Sequence, residues 1–216
     1  MIITIKGAGK RYNFEWILQD INLTLAAPGS YAVLGPNGSG KSTFLQLIAG
    51  NISPSAGTIT FAMEGKGVDE EDIFRFISIA APYLELPEEF TAREVVLFHQ
   101  RFKPYLDGIK AEDVLAVARL STEAKKQVRN FSSGMKQRLK LSLSILSDVP
   151  VVLLDEPTTN LDRDGVEWYH DLINKYKQNR LLLVGSNQER EYGFCDQHID
   201  VMTFKSSARN GQRLPA

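Results

Sequence analysis

The eight residues Gly35-Pro36-Asn37-Gly38-Ser39-Gly40-Lys41-Ser42 constrain this chain more than any other stretch. They fit G-x-x-x-x-G-K-[ST] and stand between an apolar run, Tyr31-Ala32-Val33-Leu34, and a helix-like segment, Thr43 to Ala49. Strand, glycine loop and helix in that order make a cradle for phosphate. Glycine lets the backbone curl until successive N–H groups point into one concavity, and leaves no side chain to block a close anion. Lys41 adds a point charge, and the following helix turns its positive N-terminus to the same place. The Ser42 hydroxyl is small and polar enough to hold a Mg²⁺ ion bridging outer phosphates. The pattern implies a nucleotide site whose contacts are Gly35, Pro36, Asn37, Gly38, Ser39, Gly40, Lys41, Ser42 and Thr43.

A chain of 216 residues can bury a sizeable core, and one α/β domain over residues 1–205 is expected, followed by a polar tail over 206–216. Charged residues make up 24% and the formal net charge is −1, so no basic field points to nucleic acid or an anionic membrane surface. No apolar run approaches the ~20 residues that cross a bilayer. The opening Met1-Ile2-Ile3-Thr4-Ile5-Lys6 alternates as a strand does and does not resemble a signal peptide. Cys195 is the only cysteine, which excludes an internal disulfide and suits a reducing compartment. A cytoplasmic protein is expected.

Along the chain, strands are expected at Ile2 to Lys6, Trp16 to Leu18, Ile21 to Leu25, Thr58 to Phe61, and Phe76 to Ala80. Gly65-Lys66-Gly67 reads as a surface loop between the last two. From residue 91 the texture becomes helical. Thr91-Ala92-Arg93-Glu94 has capping-box spacing, Ala111 to Leu120 has helical period, and a helical subdomain over about 91–130 follows. Gly134 to Ser147 carries Leu139, Leu143 and Leu146 at three- and four-residue steps, an amphipathic helix. Val151 to Leu154 and Leu181 to Val184 are apolar throughout, as buried parallel strands are, with a helix from Leu161 to Tyr176 between them. A last strand is expected from Ile199 to Phe204.

Asp155-Glu156 follows directly on one of those buried strands. Parallel sheets bind ligands at the C-terminal ends of their strands, so these carboxylates belong beside the phosphate loop. Asp155 is the candidate for Mg²⁺, and Glu156 for polarising a water that attacks a γ-phosphate.

The run Asp155-Glu156-Pro157-Thr158-Thr159-Asn160-Leu161-Asp162, with Phe131-Ser132-Ser133-Gly134-Met135-Lys136-Gln137-Arg138 about twenty residues upstream, resembles the ATP-binding cassette family, the nucleotide-binding subunits of ABC transporters. The likeness runs from Tyr12 to the last strand, and only the combination of phosphate loop, serine-glycine signature and Asp-Glu-Pro is specific. It implies a P-loop NTPase parallel-sheet core with an N-terminal antiparallel β-subdomain and an α-helical subdomain. Tyr12 falls where the family stacks an aromatic ring on adenine, with Trp16 as competitor. Ser132 and Gly134 match the signature that faces the γ-phosphate of ATP on a second subunit, and Asp162 the loop that crosses the interface. The resemblance therefore implies a head-to-tail dimer, a homodimer, around two ATP and Mg²⁺. It also implies a separate membrane permease docked on 91–130, and a peripheral location on the inner face of the cell membrane.

Three departures qualify that implication. Ser133 and Met135 replace a glycine and a glutamine of the usual signature. Counting back from Thr91 places Pro82 where the family carries a glutamine near Mg²⁺, and Asn187 stands where it carries a switch histidine. Proline has no side-chain polar group, and asparagine can donate a hydrogen bond but cannot take up a proton. Both changes imply slower hydrolysis with binding retained. Two alternatives remain at this point: a nucleotide-binding but hydrolysis-poor cassette with a structural or regulatory role, and a soluble non-transport cassette. His99, His170 and His198 fall outside the pattern.

Overall fold

The structure, a computed structural model, describes residues 1–205; the tail expected over 206–216 lies outside the described residues. The chain begins with a long hairpin of β1 (Ile2–Tyr12) and β2 (Glu15–Ala26), followed by β3 (Gly29–Leu34) and α1 (Lys41–Ile48). Next come β4 (Ala56–Met63), β5 (Lys66–Val68) and β6 (Ile77–Ala80), then α2 (Ala92–Gln100), α3 (Ala111–Val117) and α4 (Ser133–Leu146). The remaining elements are β7 (Val151–Asp155), α5 (Arg163–Tyr176), β8 (Leu181–Gly185), the one-turn α6 (Glu189–Tyr192) and β9 (Gln197–Asp200).

The strands form two sheets. One is antiparallel in the order β2-β1-β4-β5, the other parallel in the order β6-β7-β8-β3-β9. The parallel sheet is a middle layer, and side-chain alternation divides its residues between two cores. Val151 and Leu153 of β7, with Leu181 and Leu183 of β8, pack with α1 and the antiparallel sheet. Val152, Leu154, Leu182 and Val184 pack instead with α2, α3, α4 and α5. Burial on both faces explains why these strands are apolar without a break. Continuing the period, Asp155 and Gly185 fall on the α1 side.

Three of the helices start where an N-cap side chain supplies a missing acceptor. Thr91 and Glu94 form the reciprocal capping box of α2: Thr91 N donates to Glu94 Oε2 at 2.8 Å and Glu94 N to Thr91 Oγ1 at 3.3 Å. Ser132 Oγ accepts from Met135 N at 3.3 Å to open α4, and Asp162 Oδ1 accepts from Gly165 N at 2.8 Å to open α5.

Three segments differ from the sequence expectation. Trp16–Leu18 and Ile21–Leu25 lie on one strand, β2, because a bulge at Asp20 (φ 49°) shifts the register without ending the ladder. The Asn22 side chain holds that bulge, accepting from Gly7 N at 2.8 Å and donating to the Asp20 carbonyl at 3.0 Å. Lys66 and Gly67 are in β5, not in a loop: Glu64 and Gly65 both take positive φ (52° and 78°), and that two-residue turn folds β5 back on β4. The last strand is β9, which ends at Asp200; its carboxylate accepts from Met202 N at 2.9 Å and starts a 3₁₀ turn over Val201–Phe204.

Candidate functional site

Strand register fixes the geometry of the site. β8 lies between β3 and β7, and its last residue, Gly185, stands level with Val33 on one side and Asp155 on the other. The segments that leave these three strands are the glycine loop, Glu156 and Ser186-Asn187, so all three emerge at the same sheet edge. On the far side of β7, Ala80 of β6 is level with Leu154, which brings Pro82 and Tyr83 out at that edge too.

The glycine loop closes on itself. Lys41 is 5% exposed, and its ammonium donates to the carbonyls of Gly35 (2.8 Å) and Pro36 (3.3 Å). Gly40 adopts φ 105°, and a Cβ there would lie 2.9 Å from Ile17 Cγ2, so the β2 strand can pack against the loop only because residue 40 is glycine. Ser39 Oγ is buried with no hydrogen-bond partner among the described residues. Tyr12, Ile17, Asn37, Gly38, Gly40, Lys41, Ser42, Thr43 and Glu156 line one cavity of ≈ 250 Å³. Tyr12 thus reaches the loop, 48% exposed and with Lys10 Nζ 5.4 Å from its ring centre. Trp16 does not line the cavity; its ring lies under the Arg11 guanidinium at 5.5 Å.

Asp155 is 1% exposed and lies beside Ser42, and its Oδ1 has no hydrogen-bond partner among the described residues. Burial pushes its carboxyl above the usual carboxylate range; the Ser42 hydroxyl opposes this, the neighbouring Glu156 charge adds to it and Lys41 opposes it. A buried carboxylate oxygen without a donor, beside a serine hydroxyl, fits a hard divalent cation that accepts oxygen ligands. Among the described residues no group of three or more His, Cys, Asp or Glu could hold a metal, so such an ion would take its remaining ligands from phosphate and water. A Cβ on Gly185 would fall 2.9 Å from Leu45 and 3.0 Å from Asp155 Oδ1, so glycine is what lets α1 and Asp155 approach.

Glu156 leaves the strand in a left-handed conformation (φ 44°), with its N–H donated to the Gly185 carbonyl at 2.8 Å. That turn separates it from its neighbour: Asp155 points to α1, whereas Glu156 lines the cavity. Asn187 Nδ2 donates to Asn37 Oδ1 at 2.9 Å, so the residue after β8 reaches directly across to the glycine loop. Ser132, Gly134 and Asp162 do not line this cavity. Ser132 and Asp162 are exposed on the surface. Gly134 packs close to the Asn160 carbonyl, 3.1 Å from where a Cβ would stand, and Gln137 donates to the Pro157 carbonyl at 2.7 Å. The start of α4 is therefore fastened to the segment that follows Glu156.

Two groups at this edge escaped the sequence reading. Glu191, fully buried, accepts from Thr158 N at 2.9 Å and from the hydroxyls of Thr158 and Ser186, joining the segment after Glu156 to the segment before Asn187. Tyr83 lies near Asp155; burial and the Asp155 charge push its phenol up to about 12, with the Gln46 side chain opposing. Gln46 had a signal in the sequence, since it follows Ser42 by four residues and so shares its helix face. His99 is packed away from the site, hydrogen-bonded to Ser147 at 2.9 Å, and burial lowers its pKa to about 4.

Residues 18–159 match the family model described as ABC transporter. The chain belongs to the ABC transporter family. The cassette is 37% identical over 167 residues to the Nod factor export ATP-binding protein I of Rhizobium johnstonii, a match covering 74% of the cassette and 52% of that protein. It therefore spans about half the length of the Nod factor relatives it matches. It is 28% identical to the lantibiotic transport ATP-binding protein SrtF of Streptococcus pyogenes, over 86% of the cassette and 80% of that protein. A solved dimeric ATP-binding cassette in a post-hydrolysis state, bound to ADP and Pi, superimposes with TM-score 0.80 at 23% identity, covering 92% of this chain and 93% of that one. At that identity the likeness establishes the fold. No helix among the described residues of the cassette is long and apolar enough to cross a membrane.

Proposed function

We propose that this cassette binds and hydrolyses ATP as the nucleotide-binding subunit of an ABC transporter, paired with a second copy and coupled to a separate membrane permease. The observation that carries this reading is the register of β3, β8 and β7, which brings the glycine loop, Asn187 and the Asp155-Glu156 pair to one edge of one sheet. In the proposed complex the loop N–H groups and the α1 N-terminus hold the phosphates, and Lys41 exchanges its two carbonyl partners for phosphate oxygens. Tyr12 stacks on the base. Ser42 and Asp155 would hold Mg²⁺, which would neutralise charge on the outer phosphates. Glu156 takes a proton from the attacking water as its oxygen bonds to the γ-phosphorus; the bond from that phosphorus to the bridging oxygen breaks and ADP leaves with the electron pair.

Ser132 and Ser133 at the start of α4 are exposed, which suits them to the γ-phosphate of a second copy in a two-fold, head-to-tail dimer, and Asp162 is exposed as well. The helices over 91–130 would dock on the permease and keep the cassette at the inner face of the cell membrane.

A specific observation favours slow turnover as a second reading: the residue that meets Asn37 is an amide, which can donate to a phosphate oxygen but cannot carry a positive charge. Steady-state ATPase assays on the wild type and Asn187→His check both readings. The wild type is expected to turn over, and the histidine variant to raise kcat roughly tenfold, about the worth of one charge-assisted hydrogen bond. Equal rates would remove residue 187 as the limiting group, and ATP binding without turnover in either protein would favour the structural or regulatory role.

A further inference from the structure

The carboxylate of Glu191 takes no part in the reaction proposed above, yet it is fully buried on the one-turn helix α6. An acid in such a place is costly unless donors surround it, and here three do. Thr158 donates twice to Oε1, from its N–H at 2.9 Å and from its hydroxyl, and the Ser186 hydroxyl donates to Oε2. The Glu191 carbonyl in turn accepts from the Tyr169 hydroxyl of α5 at 2.9 Å, which fixes the backbone that carries the carboxylate.

Both donor residues stand beside groups assigned to the reaction. Thr158 is two residues after Glu156, and Ser186 immediately precedes Asn187. The β7–β8 ladder ends at Asp155 and Gly185, and the Glu156 N–H on the Gly185 carbonyl adds one more bond. Beyond it the Glu191 carboxylate joins the two emerging segments. Contacts continue outward at both ends: Gln137 of α4 donates to the Pro157 carbonyl at 2.7 Å, and Asn187 donates to Asn37 of the glycine loop at 2.9 Å. Hydrogen bonds and single peptide steps thus link the helix that begins at Ser132, through Thr158, Glu191 and Ser186, to the phosphate-binding loop.

We propose that Glu191 is a positioning residue for ATP hydrolysis, its carboxylate holding the segments that carry Glu156 and Asn187 at a fixed spacing so that both meet the γ-phosphate together. This rests on the ATPase reading above. The residue acts through its two neighbours and not on the nucleotide. A rigid bridge matters because a general base works only within hydrogen-bond reach of its water, and displacement by about 1 Å can cost roughly 100-fold in rate. Nucleotide affinity rests on the glycine loop, Lys41 and Tyr12, so a loosened bridge acts on kcat and leaves binding alone.

The test is a double-mutant cycle on the two ends of the bridge, Thr158→Val and Ser186→Ala, each deleting one buried hydroxyl with little change of volume. Phosphate release gives kcat, and titration calorimetry with Mg²⁺ gives the ATP and ADP affinities. Ser186→Ala, which severs its end, is expected to lower kcat roughly tenfold with both affinities unchanged. Thr158→Val keeps the N–H contact and is expected to lower kcat about threefold, and the double variant to match Ser186→Ala, because a bridge broken at one end transmits nothing from the other. Multiplied effects, or affinities that fall with kcat as a merely structural role requires, overturn the proposal. Glu191→Gln supplies the rescue: its amide oxygen keeps the Thr158 donors and its NH₂ group donates to the second lone pair of Ser186 Oγ, so its rate is expected within about threefold of wild type. Glu191→Ala is expected to fall to the Ser186→Ala rate, and a glutamine variant as slow as the alanine variant counts against the bridge. If the wild type turns over and every variant matches it, only this proposal falls; if the wild type binds no ATP or never turns over, the ATPase reading falls and takes it along.

Discussion

Glu156→Gln is expected to reduce kcat for ATP hydrolysis by about 10²–10⁴-fold, the usual worth of a positioned general base, while leaving ATP affinity close to wild type. The substitution exchanges one oxygen for an NH₂ group of nearly the same size and removes the negative charge and with it the ability to accept a proton. It leaves the backbone contact that fixes the residue, the N–H of Glu156 on the Gly185 carbonyl, because that bond does not involve the side chain. The division of labour with Asp155 makes the prediction specific. Asp155 sits on the α1 face of β7 with Ser42, whereas the left-handed turn at residue 156 swings the second carboxylate into the cavity. Phosphate release at saturating ATP, with binding titrated in parallel, checks it. A variant that turns over at the wild-type rate would move the base elsewhere.

Lys41→Met is expected to act on the other parameter, lowering ATP affinity by roughly 100-fold and abolishing measurable turnover at working concentrations, since a charge-assisted hydrogen bond to phosphate is lost in a largely buried position. Methionine fills the space of the lysine stem. Among the described residues the ammonium's partners without nucleotide are the Gly35 and Pro36 carbonyls of its own loop, so the fold of the variant should persist, and an unaltered far-UV circular dichroism spectrum is the control. Titration with a fluorescent ATP analogue reads the affinity directly. Unimpaired binding would mean that the loop N–H groups and the α1 N-terminus hold the phosphates without this charge.

The parts of the site that were legible in the sequence are those whose position follows from chain-local rules. A glycine loop between a strand and a helix, and carboxylates at the end of an unbroken apolar strand, must meet at the C-terminal edge of a parallel sheet, whatever the strand order. What the sequence did not contain was the order itself. Only the placement of β8 between β3 and β7 explains why Gly185 lacks a side chain, because it separates Leu45 of α1 from Asp155. Glu191 carried no motif; its role in joining Thr158 to Ser186 depends on a one-turn helix folding back across two strand ends. Local turn chemistry was misread in the fold as well, where the Glu64-Gly65 pair closes a hairpin that resembled a loop.

The central claim is that the site on one chain is completed by the Ser132 end of α4 on another. Sedimentation equilibrium of Glu156→Gln with Mg²⁺-ATP, and again with Mg²⁺-ADP, tests it most directly, because slow turnover holds the closed state long enough to weigh. The account predicts a dimer with ATP and a monomer with ADP, and a return to monomer when Ser132→Arg is added to the same chain. A monomer at saturating ATP, or a dimer indifferent both to the γ-phosphate and to residue 132, would contradict it.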